Sequence, residues 1–319
     1  MNIAYLILAH NQPLQLERLI ERLNQPNINF YVHVDKKSKD LSSVTQNLSK
    51  YKNVTVISRY NVNWMGFNMV KSTLDLIQHA LASGINFKYY VLLSGQDYPI
   101  KNNEYVNNFF SSHNTDFISY NKLSHLPEPF RDKVRLFHFP DIPYTNPRSL
   151  KKIPILVKAY YGIYKRFKKY MPQRSFYKNY EPYFGSQWFA LTHETIKYVL
   201  EFIKENKQYV KFMELTEGPD EIFFQTIILN SERKNNLCGY DSYLDWLKTR
   251  KDGELFVQGY SSLRYMDWSE RGKPKPAVLD SSYYETLKES EELFARKFDE
   301  VISADLLRRI DINLLGIKM

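Results

Sequence analysis

Over its first 120 residues the chain alternates short apolar runs with amphipathic segments, and this rhythm restricts its fold more than any other feature. Residues 3–9 form an apolar run. Leu14, Leu16, Leu19, Ile20 and Leu23 then recur at helical spacing behind Asn11 and Pro13. Runs at 30–34 and 54–57 read as the next two strands. Phe67, Val70, Leu74, Ile77 and Leu81 follow at spacings of 3, 4, 3 and 4, the apolar stripe of a long helix that Gly84 stops. A strand at 89–93, a helix at 102–111 and a strand at 116–120 complete the series. Alternation of this kind builds βαβ units. The expected fold is therefore α/β, with a mainly parallel central sheet flanked by helices.

In such sheets ligands sit beyond the carboxyl ends of the strands. The strand in KYYVLLSGQDYPI (88–100) ends abruptly in Ser94, Gly95, Gln96 and Asp97. A turn punctuated by Gly and Pro accounts for this as well as a ligand site does. Asp35, followed by Lys36, Lys37 and Ser38, ends the second strand, where a carboxylate can accept from a ribose or close a polar turn. The chain has neither GxGxxG nor GxxxxGK[ST], which argues against a dinucleotide fold and a P-loop.

Composition narrows the chemistry. With 43% hydrophobic and 25% charged residues the chain is ordinary globular material. Cys238 is its one cysteine, so it forms no internal disulfide and no cysteine cluster. The seven histidines include no HxH or HxxxH pair, which disfavours a histidine-built metal site. No apolar run approaches the roughly 20 residues of a membrane span. The first residues lack the basic region and cleavage site of a signal peptide. A cytoplasmic location is expected.

Regular structure is expected again from 183, with a helix at 192–204, a helix from Pro219, a strand near 261–266 and helices around 280–290 and 303–309. FGSQWFAL (184–191) puts Ser186, Gln187 and Trp188 at the head of a strand, as a sugar platform or as core. GPDEIFFQ (218–225) carries Asp220 and Glu221 in a first helical turn. The helix dipole stabilises acids there by about 0.3–1 kcal/mol, and such a carboxylate can also act as a general base. Arg264 stands on an apolar strand, and Lys297 lies in LFARKFD (293–299), placed directly after a helix. Both can clamp a diphosphate, or serve as structural cations whose stems cover apolar surface. There is no DxD in the chain. If a sugar nucleotide is used, protein cations must neutralise its leaving diphosphate.

Seven segments, VDKKS (34–38), NWMGFNMVKS (63–72), LLSGQDYPI (92–100), FGSQWFALT (184–192), GPDE (218–221), LRYMDW (263–268) and LFARKFD (293–299), together resemble glycosyltransferase family 14. That family comprises core-2/I-branching β-1,6-N-acetylglucosaminyltransferases and peptide O-xylosyltransferases. The resemblance implies a single GT-A-like domain over 1–319, a UDP-sugar donor, inversion at the anomeric carbon and no metal or other cofactor. Residues 1–120 then form the nucleotide-binding half, 121–180 an insertion, and 181–319 the acceptor and catalytic half. The resemblance makes Glu221 the catalytic base and Asp35, Arg264 and Lys297 the UDP-binding groups. Ser94, Gln96, Asp97, Ser186, Gln187, Trp188 and Asp220 become sugar- or acceptor-binding groups. Family members with an animal origin carry a membrane anchor and cysteines that this chain lacks, as a bacterial relative with a polysaccharide or glycoconjugate acceptor would. GlcNAc is the leading donor sugar, with xylose and glucuronate behind it.

The net charge of +9 is concentrated. Lys151, Lys152, Lys158, Lys165, Arg166, Lys168, Lys169, Arg174 and Lys178 fall in one stretch without an acid, among Tyr and Phe. Such a stretch suits an anionic membrane surface, which would place the chain peripherally on the inner membrane face. Nucleic-acid binding is the competing class, but no RRM, KH or helix-turn-helix pattern accompanies the charge, so no nucleic-acid partner is expected. A catalytically silent sugar-binding protein is the third reading.

Overall fold

The structure is a computed structural model that describes residues 1–141, 162–163, 166–167, 170, 172–238, 262–268 and 276–317. The first half runs β1 (Asn2–Ala9), α1 (Pro13–Leu23), β2 (Ile28–Val34), α2 (Leu41–Leu48), β3 (Val54–Ile57), α3 (Asn68–Ala82), β4 (Phe87–Ser94), β5 (Asp97–Pro99) and α4 (Asn103–Ser112). Next come β6 (Phe117–Ile118), β7 (Asn121–Lys122), α5 (Glu128–Arg135), β8 (Tyr183–Phe184), β9 (Phe189–Thr192), α6 (His193–Glu205), α7 (Lys207–Met213) and α8 (Phe223–Leu229). The chain closes with β10 (Arg264–Met266), α9 (Tyr284–Glu289), β11 (Phe294–Arg296) and α10 (Ala304–Asn313).

The central sheet has the order β3-β2-β1-β4-β9-β6. Its first four strands are mutually parallel, and β9 runs antiparallel to β4 and β6. This is the α/β, mainly parallel architecture that the alternating pattern implies. Alternate residues of β1 feed two cores. Ile3, Tyr5 and Ile7 pack with α1, α2, α4 and α10, while Ala4, Leu6 and Leu8 pack with α3, α6 and α8. Both faces are therefore covered, as a parallel sheet requires.

A second sheet, β10-β11-β5, lies past the end of β4. Its register sets Asp97 opposite Arg296 and Met266 beside Arg296. Because β9 is antiparallel to β4, the chain enters it from the side of the sheet that the carboxyl ends of β1, β2 and β4 share. From β2 to β9 is three strand spacings, about 14 Å.

The structure departs from the sequence pattern in four places. The helix α2 was not anticipated, because LSSVTQNL buries only Val44 and Leu48. Lys297 follows strand β11 and not a helix. The helix expected from Pro219 is split: Pro219–Glu221 is a 3-10 turn, Ile222 breaks the backbone at φ −130°, and α8 begins after it. Asp220 and Glu221 are thus not in the first turn of an α-helix, and a dipole does not account for them. Finally, the strand expected over 116–120 is limited to Phe117–Ile118. Most of the basic segment 151–178 lies outside the described residues, and so does the membrane contact expected of it. Among the described residues, no helix is long and apolar enough to cross a membrane.

Candidate active site

Glu221 sits on a turn held from three sides. Its N–H donates to the Gly218 carbonyl at 3.1 Å, and its carbonyl accepts from Gly185 N–H at 2.8 Å. Gly218 N–H in turn donates to the Met65 carbonyl at 3.0 Å. Gly218 has φ +63°, in the left-handed region that glycine enters without steric cost. The Glu221 carboxylate remains about one-third exposed, and its Oε2 lies 3.2 Å from Lys133 Nζ. Lys133 is mostly buried. Burial opposes its charge, but Glu221 and then Glu217 outweigh that effect and hold the ammonium above the ordinary lysine range. Asp220 is half-buried as a residue, yet its Oδ1 is enclosed without a hydrogen-bond partner. Burial, and then the charge of Glu221, push its carboxyl up to about 7.

The loop after β4 is built on a buried ion cluster. Asp97 Oδ2 accepts from Ser94 N–H at 2.9 Å and from Arg264 Nε at 2.9 Å, while Arg264 Nη2 is 2.8 Å away. Arg296 Nη1 reaches Asp97 Oδ1 at 3.3 Å. Arg264 also donates to the Leu92 carbonyl at 3.0 Å. Its Nη1 is enclosed without a hydrogen-bond partner. Arg264 and Asp97 are both fully enclosed, at 1% and 0% side-chain exposure. Burial lowers the Arg264 guanidinium to about 10, against the pull of Asp97. The two residues therefore brace the loop after β4 from within. Arg264, which the sequence offers to a diphosphate, and Asp97, which it offers to a sugar, pair with each other out of reach of solvent in this structure.

Trp188 is likewise covered. The Arg264 and Arg296 guanidinium carbons lie 4.8 and 5.0 Å from its ring centroid. This is a cation–π contact and not an open platform. Ser186 is buried, with its N–H on Ser119 Oγ at 2.7 Å and its carbonyl accepting from Gln225 Nε2 at 2.6 Å. Ser94 Oγ accepts from Gln96 N–H at 3.2 Å, and the Gln96 carbonyl accepts from Phe298 N–H at 2.9 Å. Both residues are buried. Ser94, Gln96 and Ser186 are thus enclosed, with polar groups engaged within the fold. Gln187 stays half-buried between them and Trp188.

Asp35 stands at the end of β2. Its Oδ1 accepts from Lys37 N–H at 3.0 Å and Val62 N–H at 3.1 Å, and Lys37 Nζ lies 3.8 Å from its Oδ2. The carboxylate orders the loops at the far end of the cleft. The partly open Arg296 ends β11, and the half-buried Lys297 follows it. Gly185 N–H holds the Glu221 carbonyl, and three residues further on Trp188 packs against Arg296, the residue before Lys297. These elements carry a partly open carboxylate at Glu221 and two cations adjacent in sequence.

Lys133 and Arg296 were not among the residues that the sequence singles out. Arg296 had a local signal, since it precedes Lys297 in ARKF. Lys133 had none, because it lies 88 residues from Glu221.

A profile of the Core-2/I-Branching enzyme family matches residues 3–291. The chain belongs to that family. It is 29% identical over 234 residues to the Homo sapiens beta-1,3-galactosyl-O-glycosyl-glycoprotein beta-1,6-N-acetylglucosaminyltransferase, covering 70% of this chain and 48% of that protein. It is 25% identical over 352 residues to Canis lupus familiaris xylosyltransferase 2, covering 99% of this chain and 34% of the relative. The chain thus spans about half and about a third of the length of these two curated relatives. A solved structure of S. aureus TarS, residues 1–349, superposes with a TM-score of 0.36 at 14% identity, over 73% of this chain and 57% of that one.

Proposed function

We propose that this member of the Core-2/I-Branching family is an inverting, metal-independent glycosyltransferase. It moves a sugar, with GlcNAc the leading candidate, from a UDP-sugar to a hydroxyl of a glycan. The observation that carries this reading is the position of Glu221. It is a carboxylate about one-third exposed, on a turn fixed by backbone bonds on both sides, and the segment that holds it leads from Gly185 to Trp188, which packs against Arg296.

In this reading the Glu221 carboxylate accepts the proton of the acceptor hydroxyl as that oxygen forms a bond to C1 of the donor sugar. The bond between C1 and the diphosphate oxygen breaks on the opposite face, and the electron pair leaves with UDP. Negative charge gathers on the diphosphate, where Lys297 and Arg296 offset it electrostatically. Asp97 and Arg264 hold Arg296 and Trp188 in place beneath. These side-chain cations, together with the absence of DxD from the chain, support the metal-independent reading. GlcNAc is favoured because a relative named for N-acetylglucosaminyl transfer aligns at 29% identity. The xylosyltransferase relatives keep xylose as the runner-up donor.

The test is Glu221→Gln. Losing a general base costs about 10²–10⁴-fold in rate, so transfer should fall by that factor while UDP binding by calorimetry is retained. Transfer at the wild-type rate would refute the assignment of the base. Wild-type transfer should be unchanged by EDTA, and loss of activity on chelation would refute metal independence.

A further inference from the structure

A cavity of about 290 Å³ has a lining that includes none of the proposed catalytic groups. It is bounded by Tyr120, Lys122, His125, Tyr183, Leu229 and Lys234. Its size is at the small end of ligand pockets, which run from about 300 to 1,000 Å³. Leu229 is buried and forms apolar floor. Tyr120 and Tyr183 meet edge to face, with centroids 6.2 Å apart and planes at 76°. Lys122, His125 and Lys234 are exposed around the rim.

The charge of this rim is lopsided. Glu181 is the acid that bears on Tyr183. Ser124 Oγ donates to its carboxylate at 2.8 Å, and Asn230 clasps its backbone through both N–H and carbonyl. The lining itself holds two lysines and no carboxylate. Flat half-buried Tyr rings suit the C–H face of a pyranose while their hydroxyls suit its polar edge. Lysine acts as a point charge toward carboxylate or sulfate.

The position of the cavity matters as much as its lining. Tyr183 is two residues before Gly185, whose N–H holds the Glu221 carbonyl. The β7–β8 ribbon pairs Lys122 with Tyr183 and Asn121 with Phe184, so the pocket and the catalytic turn share one support. Leu229 closes α8, the helix that begins just after Glu221. Its seven residues span about 10 Å.

We propose that this pocket is a second saccharide site, which holds an anionic sugar of the acceptor glycan while another residue of the same glycan presents its hydroxyl at Glu221. The inference rests on the transferase reading for the identity of the glycan as acceptor. The pocket itself is tested by binding alone.

Isothermal titration of the wild type with a hexuronate-containing oligosaccharide, a sulfated one and a neutral one of equal length separates the chemistries. Binding of either anionic oligosaccharide at least tenfold tighter than the neutral one is expected, with carboxylate and sulfate arms identifying the charged group. The double variant Lys122→Glu/Lys234→Glu should lose that binding at least tenfold while UDP binding is retained. Equal affinity for the neutral oligosaccharide overturns the proposal, as does equal affinity for inorganic sulfate alone, or binding that survives the double substitution. Failure of the wild type to bind any UDP-sugar would count against the transferase reading and leave these binding results to be judged separately.

Discussion

Lys133 Nζ stands 3.2 Å from Glu221 Oε2 and joins parts of the chain 88 residues apart. The same lysine gives its backbone carbonyl to Glu217 N–H at 3.1 Å, and its ammonium packs over the Phe184 ring at 5.4 Å. Helix α5 therefore grips the catalytic turn by main chain and side chain together. A hydrogen bond to a charged group contributes about 1.5–3 kcal/mol. If Lys133 positions the base, Lys133→Met should slow transfer by about tenfold to a hundredfold. UDP binding should hold, and Lys133→Arg should restore part of the rate. Steady-state kinetics that show an unchanged kcat in Lys133→Met would remove Lys133 from this role.

The enclosed carboxyl of Asp220 predicts a pH dependence of stability. Its native pKa of about 7 lies above the unfolded value of about 3.9. Between those values the native state binds more protons than the unfolded chain, so stability falls as pH rises. The contribution is complete below about pH 4 and lost as pH passes through about 7, with a slope of at most about 1.4 kcal/mol per pH unit. Urea unfolding from pH 5 to 8 should show this decline in the wild type and a flatter profile in Asp220→Asn. Parallel profiles for the two proteins would contradict it.

The buried pair Arg264–Asp97 predicts a strong, non-additive effect. Removing one partner of a buried ion pair costs about 3–5 kcal/mol because the other charge stays enclosed. Arg264→Met should therefore lower the unfolding midpoint sharply. Arg264→Met/Asp97→Asn should cost less than the two single changes summed, as a double-mutant cycle in urea would measure. Strict additivity would mean that the two side chains do not act as a unit.

Gly185 offers a geometric test. A Cβ built there would stand 1.9 Å from the Ser119 carbonyl oxygen, and backbone cannot swing aside as a side chain can. Gly185→Ala must shift the strand that holds the Glu221 carbonyl. Overpacking costs about 1–3 kcal/mol, and transfer should fall further than that loss of stability would explain. A soluble Gly185→Ala with wild-type kcat would show that the contact does not position the base.

The sheet was legible because its signals are local. The apolar runs that became β1, β2, β3 and β4, and the 3-4-3-4 stripe of α3, require no knowledge of what lies opposite. Asn102 and Gly84 marked a helix start and a helix end for the same reason: Asn102 Oδ1 accepts from Tyr105 N–H, and Gly84 takes φ +72°. Where local signals were thin, as in LSSVTQNL, the helix went unseen. The sequence singles out Glu221 as a candidate through GPDE and Lys297 through LFARKFD.

What surrounds the charged residues was decided in three dimensions. Arg264 and Asp97 both looked like ligand-binding groups because each carries a charge near a strand end. In the fold, 167 residues apart in sequence, they close on each other and brace the loop after β4. Lys133 carried no signal at all, yet it folds against Glu221. A strand or helix is written in the spacing of its own residues. The task of a charged side chain depends on burial and on the sign of its neighbours, and only the tertiary structure brings those neighbours within a few ångströms.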